Sequence, residues 1–239
     1  MSTSTIPEIA PDIVTCIRVK RGGLDRYLEM LEDPVRAPMI KYHAGRLLLV
    51  SPMYTHDLAA RQLDMFLTAV CGILRIPLRG CGSTLFRRMD QDHGIEPDSS
   101  YYIRSFDAVR EIAEIDLKRP GCPAPDLMVE VVVTHGTETP TSVCLELRIA
   151  ELWLYHPRGS RLEFLVLETR KNRPAAYRPS KTSHAFPFLE AREIVSWITT
   201  WRSRRQRLRS KSAKVDPSRA PTSVQGATGQ KLIYGSKCR

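Results

Sequence analysis

The sequence predicts a fold of class α/β (α+β), with a mixed central sheet flanked by helices. A basic C-terminal tail follows this folded part. Strand-like stretches alternate along the chain with stretches of helical periodicity, which favours a sheet with helices on its faces. The stretch 126–133, DLMVEVVV, is almost continuously apolar, as is typical of a central strand buried on both faces. The excess positive charge is confined to the end of the chain.

The charge distribution divides the chain. The net charge of the 239 residues is +10, yet residues 1–201 hold 25 basic and 25 acidic side chains, whereas the segment from Arg202 onward holds eleven basic residues and one acid. Basic tails of this kind attract nucleic acids and other polyanions. We therefore expect an irregular N-terminal arm at 1–23, a folded domain at 24–201 and a basic, largely disordered tail at 202–239.

Two classes of protein are excluded by composition. No run approaches the roughly 18 apolar residues that a membrane-spanning helix needs, and the first residues show no basic segment followed by an apolar one, as a secretory signal would. Six scattered cysteines without a CxxC pair predict free thiols rather than a disulfide framework. We expect a cytoplasmic protein.

The elements of the N-terminal half follow from local patterns. GLDRYLEMLEDP predicts a short helix ended by Pro34. APMIKYHAGRLLLVSP predicts two strands joined by a tight turn at Ala44 and Gly45. Apolar residues recur at helical spacing over 56–74, which predicts a long helix. GSTLFRRM alternates like a strand, and GIEPDSSYYI predicts one further strand.

The C-terminal half contains the predicted central strand and two helices. A short helix near 106–113 precedes the apolar strand. TSVCLELRI predicts a helix that Thr139 caps, with Pro140 at the first helical position, where a missing N–H costs little. The stretches 151–155 and 162–168 predict a final hairpin, and an amphipathic pattern predicts a helix from about Leu189 into the arginine cluster.

Two carboxylates lie within or at the start of predicted strands. Glu130 interrupts the most apolar strand, where a charge is costly unless it is paired or binds a metal ion. Asp98 stands at the start of another predicted strand. If the two strands adjoin, both carboxylates converge and offer the hard oxygen ligands that Mg²⁺ or Mn²⁺ prefers. Alternatively, Asp98 caps the turn after Pro97 and Glu130 pairs with an arginine.

Two further features also have two interpretations each. His56 either contacts the carboxylates or only begins the long helix. The basic cluster either binds nucleic-acid phosphates or forms a solvated helix end, where cations complement the helix dipole. Its members are Arg202, Arg204, Arg205, Arg207, Arg209 and Lys211.

The segments GSTLFRR, GIEPDSSYYI, PAPDLMVEVVVTHG and AELWLY, in this order, resemble the Uma-type restriction endonuclease family of the PD-(D/E)XK nuclease superfamily. SPMYTHD is also similar to the family's segment before its long helix. The resemblance covers roughly 24–190. It implies a restriction-endonuclease-like fold and hydrolysis of DNA assisted by Mg²⁺ or Mn²⁺. It also implies that Asp98 and Glu130 are the catalytic, metal-binding acids. Many members of the superfamily act as homodimers.

The chain departs from the family pattern at three positions. His43 stands where the family has the glutamate of a Tyr-Glu pair, Pro140 occupies the position of its lysine, and Cys144 that of a tyrosine. We expect His43 as an accessory ligand and Arg148 or Lys118 as a substitute cation, although arginine does not reproduce the geometry of lysine. The missing lysine predicts impaired catalysis. The alternative is a catalytically inactive, nucleic-acid-binding protein on a nuclease fold.

Overall fold

The computed structural model describes residues 12–20, 22–31, 38–88, 93–133 and 138–212. The chain divides into two compact units, Met1–Thr200 and Trp201–Arg239. The first unit contains two sheets and the helices that cover them. In the second, the backbone of 201–212 is helical. The predicted disorder of 213–239 lies outside the described residues.

The described residues form strands and helices in the following chain order: β1 (Ile13–Arg18), α1 (Gly23–Glu29), β2 (Met39–His43), β3 (Arg46–Ser51), α2 (Tyr54–Leu74), β4 (Arg79–Gly80), β5 (Phe86–Arg87), β6 (His93–Ile95), β7 (Ser99–Tyr102), α3 (Phe106–Val109), β8 (Leu127–Val131), α4 (Glu138–Glu146), β9 (Glu151–His156), β10 (Arg161–Glu168), β11 (Ala176–Ser180) and α5 (Ala191–Ser212). None of the helices in these ranges is long and apolar enough to cross a membrane.

The strands belong to two sheets. The first has the order β1-β3-β2-β6-β5, and its strand pairs are antiparallel. The second has the order β11-β10-β9-β8-β7-β4 and is mixed, because β8 and β9 are parallel whereas its other pairs are antiparallel. Helix α4 makes the crossover between β8 and β9, as parallel strands require. The predicted mixed sheet flanked by helices is confirmed, and an antiparallel sheet accompanies it.

The turn between β2 and β3 explains the register of this hairpin. Ala44 and Gly45 both have positive φ angles, 47° and 77°. Two left-handed residues in a two-residue loop match the twist of the strands that they join. His43 consequently pairs with Arg46, and the pairing continues to Met39 opposite Val50. This register fixes which side of β2 each of its residues faces.

Two cores lie on the two faces of the mixed sheet. On one face, α2 buries Leu63, Phe66 and Leu67 in the same cluster as Val129 and Trp153. On the other face, α4 contributes Val143, Cys144 and Leu147 to a cluster with Met128 and Leu152. Because residues alternate along β8, Glu130 shares the face of Met128, which is the α4 side. Helix α4 also packs against β2 and β6 of the first sheet.

Two predicted elements differ from the structure. The single strand expected in GIEPDSSYYI is two strands, β6 and β7, which belong to different sheets. Pro97 lies between them, and a proline cannot donate a ladder hydrogen bond, so pairing is interrupted there. The arm expected to be irregular contains β1, which pairs along its full length with β3. Strand β11, which no local pattern predicted, extends the hairpin of β9 and β10.

Candidate active site

Asp98 and Glu130 come together where β7 and β8 adjoin. Ser99 pairs with Val129 in the antiparallel register, so the preceding Asp98 lies beside Glu130. The backbone N–H of Val131 donates a hydrogen bond of 2.6 Å to Asp98 Oδ2, which ties the carboxylate to β8. The side chains of Asp98 and Glu130 are only 2% and 3% exposed. The convergence expected from the sequence is present.

Lys41 of β2 reaches the same place from the other sheet. Its Nζ atom forms an ion pair with Glu130 Oε2, and both side chains are buried. Burial alone would lower the pKa of Lys41, but the nearby charges of Glu130 and Asp98 raise it above its ordinary value. Lys41 is therefore a charged ammonium group at neutral pH. The alternative prediction, that Glu130 pairs with an arginine, is wrong because its partner is Lys41.

His56 connects Asp98 to the N-terminal strand. It lies in the first turn of α2, with Nε2 2.8 Å from Asp98 Oδ1 and Nδ1 2.8 Å from Asp12 Oδ2. Asp12 also accepts a hydrogen bond of 3.0 Å from Met53 N–H at the start of α2. Burial would lower the pKa of His56, but the two carboxylates, Asp98 first, raise it to about 9. The ring is an imidazolium held between two acids.

The two site carboxylates have opposite electrostatic environments. Burial would raise the pKa of Asp98, but its hydrogen bond with His56 and the charge of Lys41 lower it below the ordinary value. For Glu130, burial dominates over the attraction of Lys41, and the charge of Asp98 adds to it, so the pKa rises to about 7. Asp98 is firmly ionised, whereas Glu130 exchanges a proton near neutral pH in the metal-free protein.

One carboxylate oxygen of the site has a free acceptor position. Glu130 Oε1 is buried and has no hydrogen-bond partner among the described residues. An orphaned carboxylate oxygen of this kind suits a cation. Across the described ranges, no cluster of three His, Cys, Asp or Glu side chains is arranged around a metal position. Two protein carboxylates are nevertheless compatible with Mg²⁺, which keeps several of its waters. Because Lys41 and His56 already offset both negative charges, we expect weak metal binding.

A cavity borders Asp98. Its volume is about 470 Å³, and Asp98 and Ser99 form part of its wall. Helix α2 contributes Asp57 and Arg61, and the loop after β4 contributes Ser83. Arg61 is an exposed residue of this wall. Of the two site carboxylates, Asp98 is the one that borders this cavity.

The accessory residues expected from the sequence lie elsewhere. The ring of His43 lies near that of His93, with centroids 6.4 Å apart. Arg148 is an exposed residue with a φ angle of 60° just beyond α4. Lys118 is half-buried, and its N–H donates to Asp116. Within the described structure, none of these expected residues forms an ion pair or hydrogen bond with Asp98 or Glu130. The cations that do so are Lys41 and His56.

The remaining sequence-predicted positions are described to different extents. Pro140 is buried in α4, and Cys144 is buried one turn later, with its sulfur 3.6 Å from that of Met128. The six members of the basic cluster belong to the last turns of α5 by their backbone. Their side chains lie outside the described part of the structure, so nucleic-acid binding by this cluster stays a prediction.

Sequence reasoning missed two site residues. Lys41 is a charged residue between Ile40 and Tyr42, which are both buried. The criterion that singled out Glu130, a charge within an apolar strand, applies equally to Lys41. Asp12 gave no such signal, because the residues around it in the sequence do not alternate between apolar and polar types as in a half-buried strand. His56 both lies in the first turn of α2 and contacts Asp98, so its two interpretations do not exclude each other.

Comparisons with known proteins give the family and the fold of the chain. The sequence profile of the Uma2 family, described as "Putative restriction endonuclease", matches residues 24–207. A solved structure described as "a putative nuclease belonging to DUF820 from Anabaena variabilis ATCC 29413" has 20% sequence identity and a TM-score of 0.50, and the match covers 73% of this chain and 98% of that chain. This likeness shows a shared fold. No curated protein matches the chain. By the extent of the family match, the chain belongs to the Uma2 family.

Proposed function

We propose that this protein is a Mg²⁺-dependent DNA endonuclease that hydrolyses phosphodiester bonds. The observation that carries the proposal is the buried pair of Asp98 and Glu130, which come together where β7 and β8 adjoin, with Asp98 in the wall of a cavity. Family membership supports nuclease activity. The excess positive charge of the C-terminal segment supports a polyanionic substrate.

The residues of the site have separate tasks in this proposal. Asp98 and Glu130 would hold the ion, which would supply Lewis-acid polarisation of a phosphoryl oxygen. The imidazolium of His56 and the N–H of Val131 each hold one oxygen of Asp98, which fixes the orientation of this carboxylate. Glu130 Oε1 is the free acceptor atom. Because the pKa of Glu130 is raised, a proton competes with the ion for this atom.

The proposal is tested by cleavage of supercoiled plasmid DNA with Mg²⁺ and with Mn²⁺. Asp98→Asn keeps the size of the side chain and an acceptor for Val131 N–H, but it removes the negative charge. We expect cleavage to fall by at least about 100-fold. Asp107→Asn is the matched control, since the side chain of Asp107 is 88% exposed. Wild-type rates in Asp98→Asn contradict the proposal.

A second candidate function is DNA binding without cleavage. It is favoured by the buried Pro140 at the position where the resemblance places a lysine, and by the ammonium group that already occupies Glu130 Oε2. In this case the protein retains plasmid DNA in a gel-shift experiment but yields no nicked product with either metal. Robust turnover by the wild-type protein excludes it.

A further inference from the structure

Glu130 faces helix α4 as well as strand β2. Cys144 of α4 contacts Met128, which shares the face of Glu130 on β8. Helix α4 returns from the end of β8 to the start of the parallel strand β9, so it runs opposite to β8. Pro140 is one turn before Cys144 and on the same side of the helix. It is therefore directed to the part of β8 that lies beyond Met128, where Glu130 is.

Lys41 brings an ammonium group to the place that position 140 leaves without one. Strand β2 packs against α4, and Nζ of Lys41 contacts Glu130 from that side. The charge of Asp98 also acts on Lys41, so the ammonium lies within electrostatic reach of both acids. Proline at 140 cannot supply a charge. The cation therefore comes from β2 and not from α4, but it lies beside the same two carboxylates.

A contribution to folding stability does not explain well why Lys41 and Glu130 form a buried ion pair. Burying two charges costs several kcal/mol of desolvation each, and apolar replacements of such pairs are often neutral or stabilising. The pair is also incompletely satisfied within the described structure, because Glu130 Oε1 has no hydrogen-bond partner. A buried carboxylate that serves stability would have both oxygens satisfied, as Glu151 does in β9 through three hydrogen bonds.

We propose that Lys41 is the catalytic cation of this chain and supplies from strand β2 the charge that the family resemblance would place at position 140. This inference rests on the proposed phosphodiester hydrolysis. In that reaction, a water oxygen forms a bond to phosphorus and one P–O ester bond breaks. Its electron pair passes to the leaving oxygen, which gains a proton, while the attacking water loses one. The ammonium of Lys41 stabilises the negative charge that grows on the phosphoryl oxygens.

The test compares plasmid cleavage by the wild type and four variants: Lys41→Gln, Lys41→Met, Pro140→Lys and the double variant Lys41→Met with Pro140→Lys. Glutamine removes the charge but keeps an N–H donor for Glu130, so Lys41→Gln remains informative if Lys41→Met does not fold. Lys171→Gln is the matched control, since Lys171 is exposed in the turn after β10. Circular dichroism confirms folding, and gel shifts in EDTA measure DNA affinity.

We expect both single variants of Lys41 to lose at least about 100-fold in cleavage rate, with DNA affinity in EDTA changed less than about threefold. Pro140→Lys should restore at least about tenfold to Lys41→Met, a rescue that a purely structural role for Lys41 does not predict. The Mn²⁺ affinity of Lys41→Gln, measured by thermal shift, should not be weaker than that of the wild type, since a competing cation has been removed.

The experiment distinguishes failure of the proposed role of Lys41 from failure of the proposed endonuclease function. If the wild type cleaves DNA and Lys41→Gln cleaves it equally well, Lys41 is not the catalytic cation, whereas the proposed function stands. If the wild type is inactive and Pro140→Lys alone creates cleavage, Lys41 does not supply the catalytic charge, and the scaffold is competent without it. If neither protein cleaves, both proposals are overturned.

Discussion

The charge of His56 depends on two acids that lie far apart in the sequence. Asp12 and Asp98 contact its two ring nitrogens at 2.8 Å each, and they hold the imidazolium in a buried position. Removal of the ring would leave both carboxylates with one partner fewer. The protonated ring is therefore part of the folded state as well as of the site.

This arrangement predicts that stability falls between pH 6.5 and about 9 in EDTA. The folded pKa of His56 is raised to about 9 from 6.5, so its contribution is complete below 6.5 and is lost as pH rises through 9. The loss is at most about 3 kcal/mol. Urea unfolding across this range measures it. His56→Gln should abolish this difference, and the exposed His184→Gln should retain it. An unchanged slope in His56→Gln contradicts the assignment.

Single residues were predictable where one rule sufficed. A charge in an apolar strand identified Glu130, and a carboxylate after a proline at a strand start identified Asp98. The same rule would have identified Lys41, which lies between Ile40 and Tyr42. Asp12 could not have been found, since its position is fixed by contacts with Met53 and His56 across the fold.

Strand β9 contains a second buried carboxylate, which differs from Glu130 in its partners. Glu151 Oε1 accepts from Trp153 Nε1 at 2.8 Å, and Oε2 accepts from Ser183 Oγ and Ala185 N–H at 3.1 and 2.7 Å. These bonds fasten the segment before α5 to the mixed sheet. Glu151 is fully buried. Its role is to join elements, and we expect it to have no part in catalysis.

Glu151→Gln should therefore destabilise the protein without slowing cleavage per folded molecule. The amide group of glutamine would turn a donor toward either Trp153 or Ala185, so a buried N–H loses its acceptor. We expect a loss of about 2–3 kcal/mol in the free energy of unfolding. Urea titration measures it. Glu168→Gln, at a side chain that is 39% exposed, should stay within about 0.5 kcal/mol of the wild type. An equally small effect at Glu151 would be evidence against this role.

Elements with strong local signals were predicted, and those set by long-range pairing were not. The periodicity of α2 and the turn at Ala44 and Gly45 are encoded within a few residues. The separation of β6 from β7 depends on partners in two different sheets. The short strands β4 and β5 exist only because β7 and β6 lie beside them.

At the scale of the whole molecule, the site lies where the two sheets meet. Lys41 comes from one sheet and Glu130 from the other, and Asp98 follows the proline that links them. No local pattern could predict this meeting, because the two sheets are assembled from strands that alternate along the chain. The homodimer expected by analogy with the superfamily stays a prediction. The distribution of charge, by contrast, is readable from the sequence alone.

The charge distribution predicts how DNA binding responds to salt. Residues 1–201 have no net charge, so the basic cluster and tail should supply the phosphate contacts. About seven such contacts give a slope near −6 for log K against log [NaCl]. Gel shifts in EDTA measure it without cleavage. A chain that ends at Trp201 should lose nearly all of this slope, whereas one that ends at Ser212 keeps the six cluster residues and should show about −5. Equal slopes for these two truncated chains would mean that the cluster does not bind DNA, and that contacts within the folded unit, such as Arg61 at the cavity, carry the affinity.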